Sequence, residues 1–97
     1  MNSKIENELL TLYFEGKINS SNAEDVEKES DAILAKKGFK GIRIDMGNLD
    51  YISSAGLRII VRMKQQHDDI VLINVPDGVY EILAMVGFPN LIKVERK

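Results

Sequence analysis

Four β-type runs alternate with three helical patterns between Leu9 and Val94, and that alternation is what most limits how the chain can fold. The clearest run is Ile70-Val71-Leu72-Ile73-Asn74-Val75. It is β-branched and apolar on both faces, which predicts a central parallel strand. Leu9 to Phe14 forms a second candidate strand, bounded by Glu15-Gly16, with Ile5 in a short strand before it. Ile42 to Met46 and a terminal run, Leu91 to Val94, complete the set. Strands separated by helices imply right-handed crossovers and a largely parallel sheet. The predicted class is therefore α/β, with a mixed, mostly parallel four- to five-stranded sheet and three or more helices packed on it.

The helices are legible from their stripes and their ends. The first, from about Asn22 to Lys37, places Ala23, Val26, Ser30, Ile33, Leu34 and Lys37 on one face. Acidic Glu24, Asp25, Glu27 and Glu29 fill its first turns and Lys36 and Lys37 close it, an order that complements the helix dipole. Ser21 and Glu24 have the spacing of a capping box, and Gly38 is placed to end the helix. The second helix starts at Ser53-Ser54 and runs to about Gln66, with Leu57, Ile60, Val61 and Lys64 on one stripe and Gly56, Ile59, Ile60 and Met63 on the next. A third starts at Pro76-Asp77-Gly78 and lines up Val79, Ile82, Leu83 and Val86 before Gly87 and Pro89 stop it.

Composition removes several functions. Ninety-seven residues suit one domain, residues 1–97, and the 44% hydrophobic and 29% charged content is that of an ordinary globular protein. A net charge of −2, with Lys and Arg dispersed, gives no basic face for nucleic acid. With no cysteine there is no disulfide framework, thiol catalysis or thiolate metal site. Met1 to Glu15 lacks the order of a signal peptide, and no apolar run approaches the ~20 residues that span a bilayer, so the expected location is cytoplasmic. His67 is the single histidine and sits in a polar turn, so no serine has a histidine pair to activate it. Asp45 and Asp50 flank Gly47-Asn48, which reads as turn chemistry rather than a metal site. The chain is expected not to be an enzyme and to need no cofactor.

What remains is Ser53-Ser54 at the head of the second helix. Hydroxyls are favoured there because the first helical amides lack partners. Ala55 and Gly56 follow at once, so nothing bulky shields the hydroxyls. Glycine so early in a helix costs about 1 kcal/mol relative to alanine, which suits a place where something approaches the backbone closely. In an α/β sheet the loops at the carboxyl ends of strands share one edge, which should bring Asn19-Ser20-Ser21 beside this turn.

The segment Ile44-Asp45-Met46-Gly47-Asn48-Leu49-Asp50-Tyr51-Ile52-Ser53-Ser54-Ala55-Gly56-Leu57-Arg58 resembles the signature of the STAS domain, the fold of bacterial anti-sigma-factor antagonists. Glu15 to Ala23, Val71 to Val75 and Leu83 to Phe88 resemble further parts of that domain. The resemblance implies a single STAS domain. It also implies an anti-sigma factor that is a serine protein kinase as partner, and a switch set by phosphorylation. The acceptor it points to is Ser54, two residues before the glycine, with Ser53 as the alternative. Asn19, Ser20, Ser21, Ser53, Ser54, Ala55, Gly56 and Arg58 would form the partner-binding surface. Many antagonists carry Asp immediately before the acceptor and another in the neighbouring loop; here Ser53 and Asn19 stand in those places. Arg58 and Arg62 follow Ser54 by one and two turns, either as solvated cations or, for Arg58, within reach of a phosphate. The protein is expected to be a monomer with no membrane or nucleic-acid partner. Two alternatives remain open: a STAS subunit of a transporter-associated or other regulatory assembly not switched by phosphorylation, and a small-ligand or nucleotide-binding domain.

Overall fold

A computed structural model describes residues Met1–Lys97 as one five-stranded sheet in the order β1-β2-β3-β4-β5. The elements are β1 (Ser3–Glu6), β2 (Leu9–Ile18), α1 (Ala23–Leu34), β3 (Gly41–Ile52), α2 (Ser54–Gln66), β4 (Ile70–Val75), α3 (Asp77–Met85), a 3-10 turn (Phe88–Asn90) and β5 (Lys93–Arg96). β1 is antiparallel to β2, and every later pairing is parallel. The mixed, mostly parallel α/β sheet is therefore as expected. The short strand around Ile5 is present, turning into β2 through Asn7 and Glu8 at φ 53° and 63°. Two successive left-handed residues are what a tight hairpin with the native twist requires.

Strand pleat decides where the core lies, since successive side chains face opposite ways. Leu10, Leu12 and Phe14 of β2, Ile42, Ile44 and Met46 of β3, and Leu72 of β4 are buried. They form one cluster with Ala23 and Ile33 of α1, Leu57, Ile60 and Met63 of α2, and Val79 and Leu83 of α3. The alternate residues Tyr13, Arg43, Asp45 and Ile73 are only half-buried. The molecule is thus two layers, with helices on one face of the sheet. β4 is interior and parallel to both neighbours, but its second face is not covered by helices as a fully buried central strand would be. Val71 is still buried there, in register between Arg43 and Lys93, long side chains of the kind whose stems cover apolar neighbours.

Both long strands exceed their predicted ends. β2 passes through Glu15-Gly16 to Ile18, with Gly16 at φ 70°, and β3 passes through Gly47-Asn48 to Ile52. Gly47-Asn48 is a bulge and not a turn. β3 spends one residue more than β2 between the pairs Tyr13–Asp45 and Glu15–Asn48, and again between Gly16–Leu49 and Lys17–Tyr51. The Asp45 side chain supports the first bulge, one oxygen accepting from Gly47 N–H at 2.8 Å and the other from Asn74 Nδ2 at 2.9 Å. The carboxylate beside the expected turn is a strand fastener.

Helix boundaries differ for equally local reasons. α1 ends at Leu34 instead of Lys37 and its Gly38 lies four residues further on, at φ 102°. Residues 35–38 are exposed and offer the core nothing, while Phe39 packs back against it and Lys40 N–H is tied to Glu8 O at 2.7 Å. The capping box does not form. Ser21 Oγ donates to Asn19 Oδ1 at 2.6 Å, and Glu24 pairs with Lys28 at 3.5 Å. Val86 lies beyond the end of α3 and is 59% exposed. β5 starts at Lys93 because Leu91 and Ile92 N–H both bond back to Phe88 O, holding them in the turn. Leu91, expected in the strand, is exposed there.

Candidate functional site

The extended halves of β2 and β3 carry two loops to the same edge of the sheet. Ser53 N–H donates to Ile18 O at 2.8 Å, which stitches the end of β3 to the end of β2. The loop after β2 is braced by its own amides. Asn22 Oδ1 accepts from Asn19 N–H at 2.9 Å and Asn22 Nδ2 donates to Lys17 O at 2.7 Å. Asn19 Oδ1 accepts from both the N–H and the hydroxyl of Ser21, at 3.0 and 2.6 Å. Short polar side chains that satisfy nearby backbone are what hold such a turn without a core. Ser20 and Ser21 are left exposed and Asn19 half-buried.

The two serines of the second loop have different tasks. Ser53 caps α2: its backbone is extended, its Oγ accepts from Gly56 N–H at 3.5 Å and its carbonyl accepts from Leu57 N–H at 2.9 Å. Ser54 is the first helical residue, is exposed, and its hydroxyl has no partner within the protein. Ala55 behind it is half-buried. The small side chains of both loops lie together at this edge, as their spacing after strands implied. Gly56 departs from that picture. It is buried, and a Cβ built there would lie 2.6 Å from Ile52 Cγ1 and 2.8 Å from Ile18 Cγ2. The close approach that the glycine permits is to its own sheet, so Gly56 backs the surface instead of lining it.

Beyond the serines, α1 and α2 leave a shallow groove of about 150 Å³ whose walls include Ala23, Glu24, Glu27, Ala55, Arg58 and Arg62. Arg62 is ion-paired with Glu27, while Arg58 is exposed and pairs with nothing. The groove is open and well below the ~300 Å³ at which sites for small molecules begin. His67 is half-buried, its ring 6.1 Å from that of Phe39. Two participants had gone unremarked. Asn22 braces the first loop, and the Asn-Ser-Ser-Asn run held that signal, since Asn is favoured where side chains bond neighbouring backbone. Tyr51 is 43% exposed just before the serine turn. Its exposure depends on the second bulge of β3, which periodicity does not reveal.

The STAS domain family model matches residues 1–97, and the chain belongs to that family. Within it, the chain is 36% identical over 90 residues to the provisionally named anti-sigma factor antagonist BtrV of Bordetella bronchiseptica, covering 89% of this chain and 77% of that protein. Solved structures agree on the fold. An anti-sigma factor antagonist from Mycobacterium paratuberculosis superposes with a TM-score of 0.87 at 13% identity, over 99% of this chain and 84% of that one. The anti-sigma factor antagonist SpoIIAA in its unphosphorylated form gives 0.73 at 12% identity, over 96% and 87%. The phosphorylated form of SpoIIAA, from Bacillus, gives 0.64 at 11% identity, over 96% and 90%. In sequence the chain is thus related to a protein provisionally named an anti-sigma factor antagonist, and the solved structures share its fold.

Proposed function

We propose that this STAS domain frees a sigma factor by binding the anti-sigma factor that holds it, and that phosphorylation of Ser54 by that same anti-sigma factor, a serine kinase, ends the binding. The surface offered is Asn19, Ser20, Ser21, Ser53, Ser54, Ala55 and Arg58. ATP and magnesium belong to the kinase, and the domain itself performs no catalysis. The setting is cytoplasmic, with the protein acting as a monomer.

The observation that carries this reading is the division of labour between the two hydroxyls. One is committed to the helix cap and the other is exposed with no partner in the fold. A kinase that must reach a serine Oγ is given Ser54 without unfolding anything. The product is also tolerated where it forms. A phosphoserine adds about −1.5 to −2 charges, and the first amides of a helix favour an anion. The fold therefore stays intact while the surface changes. A like charge of the partner brought within ~4 Å of the phosphate costs about 4 kcal/mol at an effective dielectric near 20. That corresponds to roughly a thousandfold in affinity, enough for a switch.

The likeness to SpoIIAA, solved in unphosphorylated and phosphorylated forms, supports the same reading. Titration calorimetry of the anti-sigma-factor kinase against the domain, with serine or phosphoserine at position 54, tests it. Tight binding of the first and loss by two or more orders of magnitude for the second is expected. Equal affinities reject the switch.

A further inference from the structure

Of the four arginines, Arg43, Arg62 and Arg96 are ion-paired, with Asp69, Glu27 and Asp77. Arg58 is the exception. Its neighbours across the groove are Glu24 and Glu27, yet neither is ion-paired with it; Glu24 is paired with Lys28 and Glu27 with Arg62. The fold thus leaves one arginine uncommitted, and it stands four residues after the exposed hydroxyl of Ser54 on the same helix. Residues so spaced are neighbours, about 5–6 Å apart at Cβ. Helical side chains also lean toward the N-terminus, which carries the longer Arg58 back over the turn that Ser54 opens.

Resting on the reading that Ser54 is the phosphoacceptor, we propose that Arg58 is the cation that clamps the phosphate of phosphoserine 54, so that phosphorylation withdraws a positive charge from the docking surface as well as adding a dianion to it. The guanidinium fork matches two phosphate oxygens, which an ammonium does not. The start of α2 supplies the other side of the cradle. Its Gly56 and Leu57 amides are taken by Ser53, but the Ala55 N–H has no partner in the fold and is one residue from the phosphate. Arg62 is not a competitor for the phosphate, being committed to Glu27 one turn further along. In the unphosphorylated protein the same free guanidinium faces outward, available to a carboxylate of the partner. Each state of the switch then has one claimant for Arg58, and the two claimants exclude one another.

The test does not need the kinase. The protein is made with phosphoserine introduced at position 54 during translation, and the second phosphate pKa, ordinarily about 6, is followed by phosphorus NMR. A nearby guanidinium favours the dianion and lowers that pKa, so Arg58→Ala should raise it by about half a unit in low salt. The difference should shrink at 1 M salt, where the screening length is about 3 Å. Arg58→Lys should fall between the two. Lys37→Ala, which removes one charge from the loop after α1 at the far end of the helical layer, should leave the value unchanged. The same pKa in wild type and Arg58→Ala overturns the clamp, as does an equal shift from Lys37→Ala. If the kinase proves to modify another residue, the functional reading fails while this measurement stands by itself.

Discussion

Replacing Gly56 with alanine sets two effects of known size against each other. Alanine is the better helix former by about 1 kcal/mol, so on a solvated helix the change would stabilise. Here the added methyl would sit 2.6 Å from Ile52 Cγ1 and 2.8 Å from Ile18 Cγ2, both far inside contact distance. Those atoms belong to branched side chains only 1% and 2% exposed, at the ends of β3 and β2, and they have nowhere to move. Overpacking costs about 1–3 kcal/mol, and contacts this short against buried branched side chains belong to the upper part of that range, about 2–3 kcal/mol. The expected net is a loss of about 1–2 kcal/mol, which for a domain this size is roughly 4–16 °C in Tm. Urea unfolding with an unchanged m-value would measure it. Amide shifts should be confined to Ile18, Ile52 and the first turn of α2. A variant as stable as the parent, or more so, would show that α2 does not press on the sheet at this point and that the glycine serves some other approach.

Other substitutions separate the roles of neighbouring residues. Ser54→Ala should leave stability within about 0.5 kcal/mol, because no hydrogen bond is lost, whereas Ser53→Ala removes the cap and should cost about 0.5–1 kcal/mol. Thermal melts of the two, side by side, check the ordering. Asn22→Ala strips the brace from Asn19 N–H and Lys17 O and should cost about 1–3 kcal/mol, with faster amide exchange at Asn19. Ser54→Asp should melt like wild type yet bind the anti-sigma factor poorly, read by co-purification.

How far the sequence reached can be judged element by element. β4 was legible end to end, since Ile70 to Val75 is an apolar run with a polar turn before it and Pro76 after it. α2 was equally clear, because its two apolar stripes and its capping serine agree. The extensions of β2 and β3 were hidden. Gly16 and Gly47-Asn48 carry turn chemistry locally, and only the pairing of the two strands, with Asp45 bonding Gly47 and Asn74, turns them into bulges. The length of α1 depended on a tertiary tie, Lys40 to Glu8, and the start of β5 on a local turn in which Ile92 bonds back to Phe88, neither of which periodicity encodes. At the site, the meeting of the Asn19 and Ser53 loops followed from strand direction alone. That Gly56 backs the surface instead of lining it depended on how closely α2 lies on Ile18 and Ile52 of the sheet, and that Arg62 is paired while Arg58 is not depended on the packing of α1 against α2.

The central claim is that the hydroxyl opening α2, and not the one capping it, receives the phosphate. Incubating wild type, Ser53→Ala and Ser54→Ala with the anti-sigma-factor kinase and radiolabelled ATP measures this most directly. Labelling should persist in Ser53→Ala and vanish in Ser54→Ala. Labelling of Ser54→Ala at the wild-type rate would contradict the account.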